Sequence, residues 1–135
     1  MTPYQINKTI SDFLTTSWTS TSIRKINKDD APSLPFIEMH FKPGQTSGVE
    51  IMGSSIKSGV FMINIFTKLG VGTDEGLVYG GMLETLFHHK TITNSYGRII
   101  CENGFLLPYT ENIGIDEALQ AYHHQTVIPY SLIVD

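Results

Sequence analysis

The sequence predicts an α+β fold: a single mixed, mostly antiparallel β-sheet with two α-helices packed on one face and an extended hairpin arm. Two separated segments carry the helical apolar period, Ile6 to Leu14 and Gly76 to Phe87. Between and after them lie apolar runs of strand character, punctuated by glycine and proline. These strands cluster instead of alternating with helices as a parallel α/β sheet requires. At 135 residues the chain is read as one domain, 1–135, long enough to bury a core.

The first helix opens at Thr2-Pro3, a hydroxyl cap followed by proline at the first helical position. Ile6, Ile10, Phe13 and Leu14 form its apolar stripe, and Thr15-Thr16-Ser17 ends it. Thr15 to Ser22 reads as a hydroxyl-rich connector, with Trp18 as a lid on the core edge. Leu34 to Phe41 is a strand with Ile37, Met39 and Phe41 on one face and Phe36, Glu38 and His40 on the other. Gln45 to Lys57 is polar and glycine-punctuated, with a weak strand at Val49 to Met52, and suits a hairpin arm.

Val60 to Thr67 is apolar on both faces: Phe61, Ile63 and Ile65 point one way, Val60, Met62 and Phe66 the other. A central strand with both faces covered is expected. The second helix starts at Thr73, with Asp74 and Glu75 at its positive end. Its buried side is expected to hold Gly76, Tyr79, Gly80, Met82, Leu83, Leu86 and Phe87, opposite Gly81, Glu84, Thr85 and His88. Lys90 to Gly97 reads as a turn, Arg98 to Glu102 as a short strand, and Asn103-Gly104 as a hairpin signal with Phe105 to Tyr109 pairing back. Tyr109 to Ile115 reads as a loop. Tyr122 to Val134 is the last strand, which Pro129 assigns to an edge or a bulge. Both helices fall on one face, so Val60, Met62 and Phe66 lack a cover within the chain, and a partner subunit would supply one.

Composition narrows the function classes. Charged residues make up only 16% of the chain, which makes its surface cheap to desolvate against a partner. The net charge is −4 and the longest basic cluster is Arg24-Lys25, which disfavours direct nucleic-acid binding. The single cysteine, Cys101, rules out an internal disulfide. The amino terminus lacks a signal-peptide layout and no apolar run approaches membrane-spanning length, so a soluble chain is expected.

Several constellations bear on chemistry. Gly70-Val71-Gly72-Thr73-Asp74-Glu75-Gly76 follows a strand and opens a helix, as a dinucleotide loop does. Its spacing is wrong, and Asp74 and Glu75 would repel a pyrophosphate at the helix start. A strand-to-helix turn explains it better. His40, His88, His89, His123 and His124 lack metal-ligand spacing, and His123 and His124 point to opposite faces of a strand. Cys101 lies in an apolar strand and reads as a small core residue. The pairs Asp29-Asp30, Asp74-Glu75 and Asp116-Glu117 stand at turns or helix starts, where capping and solvation account for them. No catalytic, cofactor-binding or metal residue is assigned, and a non-enzymatic protein is expected.

The order of features resembles the tail terminator proteins of long-tailed bacteriophages. The likeness runs through the first helix, Leu34-Pro-Phe-Ile-Glu-Met-His-Phe41, the polar arm, Gly59-Val-Phe-Met-Ile-Asn-Ile-Phe66, Gly70-Val-Gly72, the helix ending Leu83-Glu-Thr-Leu-Phe87, and Ile128-Pro-Tyr130. The sequence departs from that pattern in the acidic stretch Pro108 to Glu117. The resemblance implies a structural virion protein of the tail and neck region, made in the host cytoplasm. It would form a homohexameric ring that caps the tail tube, ends tail polymerisation and presents the surface for head–tail joining. Its implied partners are the tail tube protein, a head-completion or neck protein, and genomic DNA passing through the lumen without specific binding. The subunit interface is expected at Val49, Ile51, Met52, Ile56, Val60, Met62 and Phe66. Another ring-forming neck or tail-completion protein, or a small ligand- or nucleotide-binding domain, are the alternative readings.

Overall fold

The computed structural model describes residues 1–25, 32–51, 54–70, 74–104 and 106–134, with the backbone alone for 43–51, 54–57, 133 and 134. Helix α1 (Pro3–Ser17) begins where the sequence predicts. The Thr2 hydroxyl accepts from the Gln5 N–H, and the Gln5 side chain accepts from the Thr2 N–H at 2.9 Å. This reciprocal pair satisfies two donors that the helix start leaves open. Ile6, Ile10 and Leu14 are buried, and Trp18 ends the helix beneath the core edge, its indole N–H donating to Thr21 Oγ1.

Among the described residues the strands form one seven-stranded sheet. They are β1 (Ser22–Arg24), β2 (Phe36–Ile51), β3 (Ser54–Lys68), β4 (Thr91–Asn94), β5 (Gly97–Ile100), β6 (Tyr109–Asp116) and β7 (Ala121–Val134). The order is β1-β2-β3-β7-β5-β4, with β6 also beside β7. Only β1–β2 is parallel, so the sheet is mixed and mostly antiparallel, as expected. Strands β2 and β3 pair out to Ile51 and Ser54, with irregularities between Lys42 and Gln45 and between Ser47 and Glu50. Strand β7 runs beside β3 from Ser55 to Lys68, so the expected hairpin arm is flanked by a third strand and belongs to the sheet.

Helix α2 (Asp74–Phe87) packs with α1 on the same face of the sheet. Ile37, Phe61, Ile63, Ile65, Ile128, Tyr130 and Leu132 rise from that face to meet Ile6, Ile10, Leu14, Leu83 and Phe87. The two helices touch through Phe13 and Phe87, edge to face at 5.4 Å. The favourable geometry of such a ring pair adds to the burial of both.

Several expectations are corrected. Residues 109–115, expected to be a loop, lie in β6, and residues 91–94, within the expected turn from Lys90 to Gly97, form β4. The last residue of the expected connector, Ser22, opens β1. Asn103 and Leu106 exchange backbone bonds of 3.1 and 2.9 Å around Gly104, which adopts φ +62°, but the pairing stops there. Strand β7 is central, not an edge. Pro129 is tolerated because β7 pairs with β6 up to Val127 and with β5 only from Ser131, so no ladder on that side asks it for an N–H. Met82, expected in the buried face of α2, is 41% exposed. The start of α2 at Thr73 and the turn residue Gly72 lie outside the described residues.

Candidate assembly surfaces

The outer face of the sheet, away from both helices, holds three of the residues expected at an interface. Val60 and Met62 are half-buried, and Phe66 is buried. Phe66 is covered by the chain itself, stacked on the His123 ring and packed with Phe36 and Ala121, with Leu34 and Leu119 beside them. The expectation that Phe66 needs a partner subunit is therefore corrected. Its cover comes from two segments distant in sequence, around Phe36 and around Ala121, which period-two patterning does not connect. Met52 lies outside the described residues, as do the side chains of Val49, Ile51 and Ile56. The backbone places Ile56 between Ser47 of β2 and Ile133 of β7 and Ile51 opposite Ser54, while Val49 falls at the register shift between Ser47 and Glu50.

A polar group that the sequence reading missed fills the middle of the outer face. Asn64 Oδ1 accepts from Gln125 Nε2 at 3.0 Å and lies 2.8 Å from His123 Nε2. Asn64 and Gln125 are register partners across β3 and β7, with His123 two positions along β7 from Gln125. Burial pushes the His123 pKa down, and the carboxylates of Asp116 and Glu38 oppose that. Arg24 Nη1 and Glu38 Oε2 pair at 3.3 Å nearby on β1 and β2. The face is a mixture of apolar and hydrogen-bonding groups.

On the inner face, α2 approaches the sheet closely enough that only glycine fits at two positions. A Cβ at Gly76 would overlap the His124 imidazole, and one at Gly80 would fall 2.5 Å from the Thr110 methyl. Beneath them the Thr126 hydroxyl lies 2.9 Å from that of Thr110, which donates to Glu84 Oε2 at 3.2 Å. His124 is fully buried, neither ring nitrogen has a hydrogen-bond partner, and burial pushes its pKa down. Its neutral imidazole acts there as a flat packing surface for the helix backbone.

The outward face of α2 is the second surface that the sequence reading missed. Leu77, Val78 and Met82 are 50%, 60% and 41% exposed. A shallow groove of about 530 Å³ runs from Val78, Met82 and Thr85 to the Trp18–Ser20 connector. The signal was present in the sequence. Apolar residues occur all around this helix, a pattern that belongs to helices covered on every side.

The Gly70–Gly76 loop is described only at Gly70 and from Asp74 onward, while Cys101 and the histidine pairs lie among the described residues. The Cys101 thiol is buried and its pKa is pushed up to about 12, far from the range of a reactive thiolate. His88 and His89 stack edge to face at 4.1 Å, and His89 reaches Glu102 at 3.4 Å. His123 and His124 do face opposite sides of β7, and the described residues contain no group of metal-ligating side chains.

The fold thus defines a one-sheet α+β protein with both helices on one face and the opposite face half open. No protein-family model matches the chain, and no curated protein matches it in sequence. Among solved structures, one whose only name is a sequence identifier superposes with a TM-score of 0.66 at 14% identity, covering 94% of this chain and 89% of that one. At that identity the likeness is one of fold, and it extends over nearly the whole of both chains.

Proposed function

We propose that the protein is a structural subunit of a bacteriophage tail, forming a ring that caps the tail tube and presents the surface for head–tail joining. The supporting observation is the half-open outer face of β2, β3 and β7, with Val60 and Met62 beside the Asn64–His123–Gln125 group. A domain that spends both helices on one face and leaves the other mixed and half-exposed is suited to being completed by a neighbour. The far end of the β2–β3 hairpin, Ile51 and Ser54, reaches just beyond the last β7 pair and is assigned to contact with the next subunit. The low charge of the chain keeps the desolvation cost of such contacts small.

The test is direct. Purified protein imaged by negative stain should contain closed rings, alone or after addition of tail tubes, and tubes polymerised in its presence should be shorter and capped at one end. Protein that stays monomeric at high concentration and leaves tube length unchanged would refute the reading. Met62→Glu should abolish ring formation while leaving the thermal melt cooperative, because the side chain stands on the outer face, away from the core.

A further inference from the structure

The geometry points to a second, two-fold contact between copies of this chain, in which α2 of one copy lies antiparallel against α2 of another. The occupant is a second copy because the outward stripe of α2 is complementary to itself. Gly81 stands seven residues from Asp74 and seven from His88, so all three recur on one side of the helix. Asp74 and His88 are both exposed, at opposite ends of this stripe. A two-fold axis passing at Gly81 sets the Asp74 carboxylate of each copy opposite the His88 imidazole of the other. It also sets the positive end of each helix dipole beside the negative end of its partner.

Between those ends the stripe carries the exposed Leu77, Val78 and Met82, with no charged group among them. Gly81 is the one described glycine of α2 around which a Cβ would meet open space. Unlike Gly76 and Gly80, it has no contact inside its own subunit that requires glycine. At the crossing point of two helices its missing side chain allows close approach of the backbones. The groove beside Trp18 widens the apolar surface on one flank. A helix of this length plus that groove falls short of the ~800 Å² per partner typical of stable complexes, so the dimer is weak and concentration-dependent.

This contact does not rest on the ring reading. A closed ring is joined head to tail, whereas this contact uses the same patch on both copies and would pair two rings or two free subunits.

The test uses the full chain with three single variants. Sedimentation velocity of the wild type from about 1 µM to about 1 mM should show a reversible rise in mass by a factor of two, over whatever unit prevails at low concentration. Gly81→Glu should abolish that rise with the melt intact, since the position is open and glutamate favours helix over glycine. Gly81→Cys treated with diamide should form a covalent dimer at least about ten times faster than Lys8→Cys on the outward side of α1. The buried Cys101 serves as an internal background. Three results would overturn the contact: no doubling, a doubling that survives Gly81→Glu, or equal cross-linking at the two positions. A ring unaffected by Gly81→Glu together with absent cross-linking would mean that the stripe serves a different protein or none. Loss of rings with the doubling retained would instead reject the tail-cap reading alone.

Discussion

The two helices lie on the same face of the same sheet, yet they are built to different rules. Helix α1 is amphipathic: Ile6, Thr9, Ile10 and Leu14 face the core, while Lys8 and Asp12 pair at 3.3 Å on the outside and Thr15 and Thr16 meet solvent. Apart from Tyr4 in its first turn, it exposes no large apolar group. Helix α2 reverses the arrangement. Its underside is half glycine, and its outward side carries Leu77, Val78 and Met82. The glycines bring the backbone down onto His124 and Thr110, so the apolar side chains that a helix normally spends on its core stand outward. Helix α1 is complete within the subunit, whereas α2 has one face left to satisfy.

Substitutions on the buried sides separate the two designs most strongly. Ile10 is fully buried by long side chains, so Ile10→Ala opens a cavity and should cost about 2–5 kcal/mol in a urea melt. At the matching depth under α2, enlarging the residue is what does harm. Gly76→Ala should destabilise by on the order of 1–2 kcal/mol, because overpacking against His124 exceeds the gain in helix propensity. A stabilised Gly76→Ala protein would mean that the helix rides higher than described, and the contrast between the helices would fail.

Acid should act on the α2 side of the core through the same contact. The folded pKa of His124 is pushed below its usual value of 6.5 by burial, and that of His123 is shifted in the same direction. Above pH ~6.5 both states are neutral at these positions and stability does not depend on them. Below it the unfolded chain takes up protons that the folded chain resists, so stability falls with pH, by at most about 1.4 kcal/mol per unit for each histidine. The measurement is the urea midpoint at pH 7.5 and 5.5. His124→Leu should flatten the dependence, and an unchanged slope would remove His124 from the account.

What the sequence made legible follows the same division. The start of α1, its stripe and Trp18 could be read because cap, period and lid are all local signals. The two-faced character of β3 and the glycine underside of α2 were legible for the same reason. Strand β6 was not: Tyr109–Asp116 is an edge strand with a bulge at Ile113 and a single polar face-pair, Thr110 with Thr126, toward the core. Only its long-range ladder to β7 makes it a strand. The central position of β7 was hidden by Pro129, whose usual meaning depends on neighbours that local pattern does not contain. Met82 was misplaced because, at about 100° per residue, it stands well outside the arc of Gly76, Gly80, Leu83 and Phe87, on the side that meets solvent. The candidate surfaces were legible as a need for cover, not as the residues that need it.

The smallest effect is the most discriminating. Gly81→Ala adds one methyl in open space on α2 and removes the helix penalty of glycine, which should stabilise the isolated subunit by up to about 1 kcal/mol. If α2 were as self-sufficient as α1, that gain would appear at every protein concentration. If α2 pairs with α2 of another copy, the methyl also separates the two backbones at their crossing, and binding that stabilises the wild type by mass action is lost. The melting temperature of Gly81→Ala should therefore exceed that of the wild type in dilute solution, and the difference should shrink or reverse as concentration rises. A constant difference across the series would place α2 in the same class as α1, with an outward face that is apolar but idle.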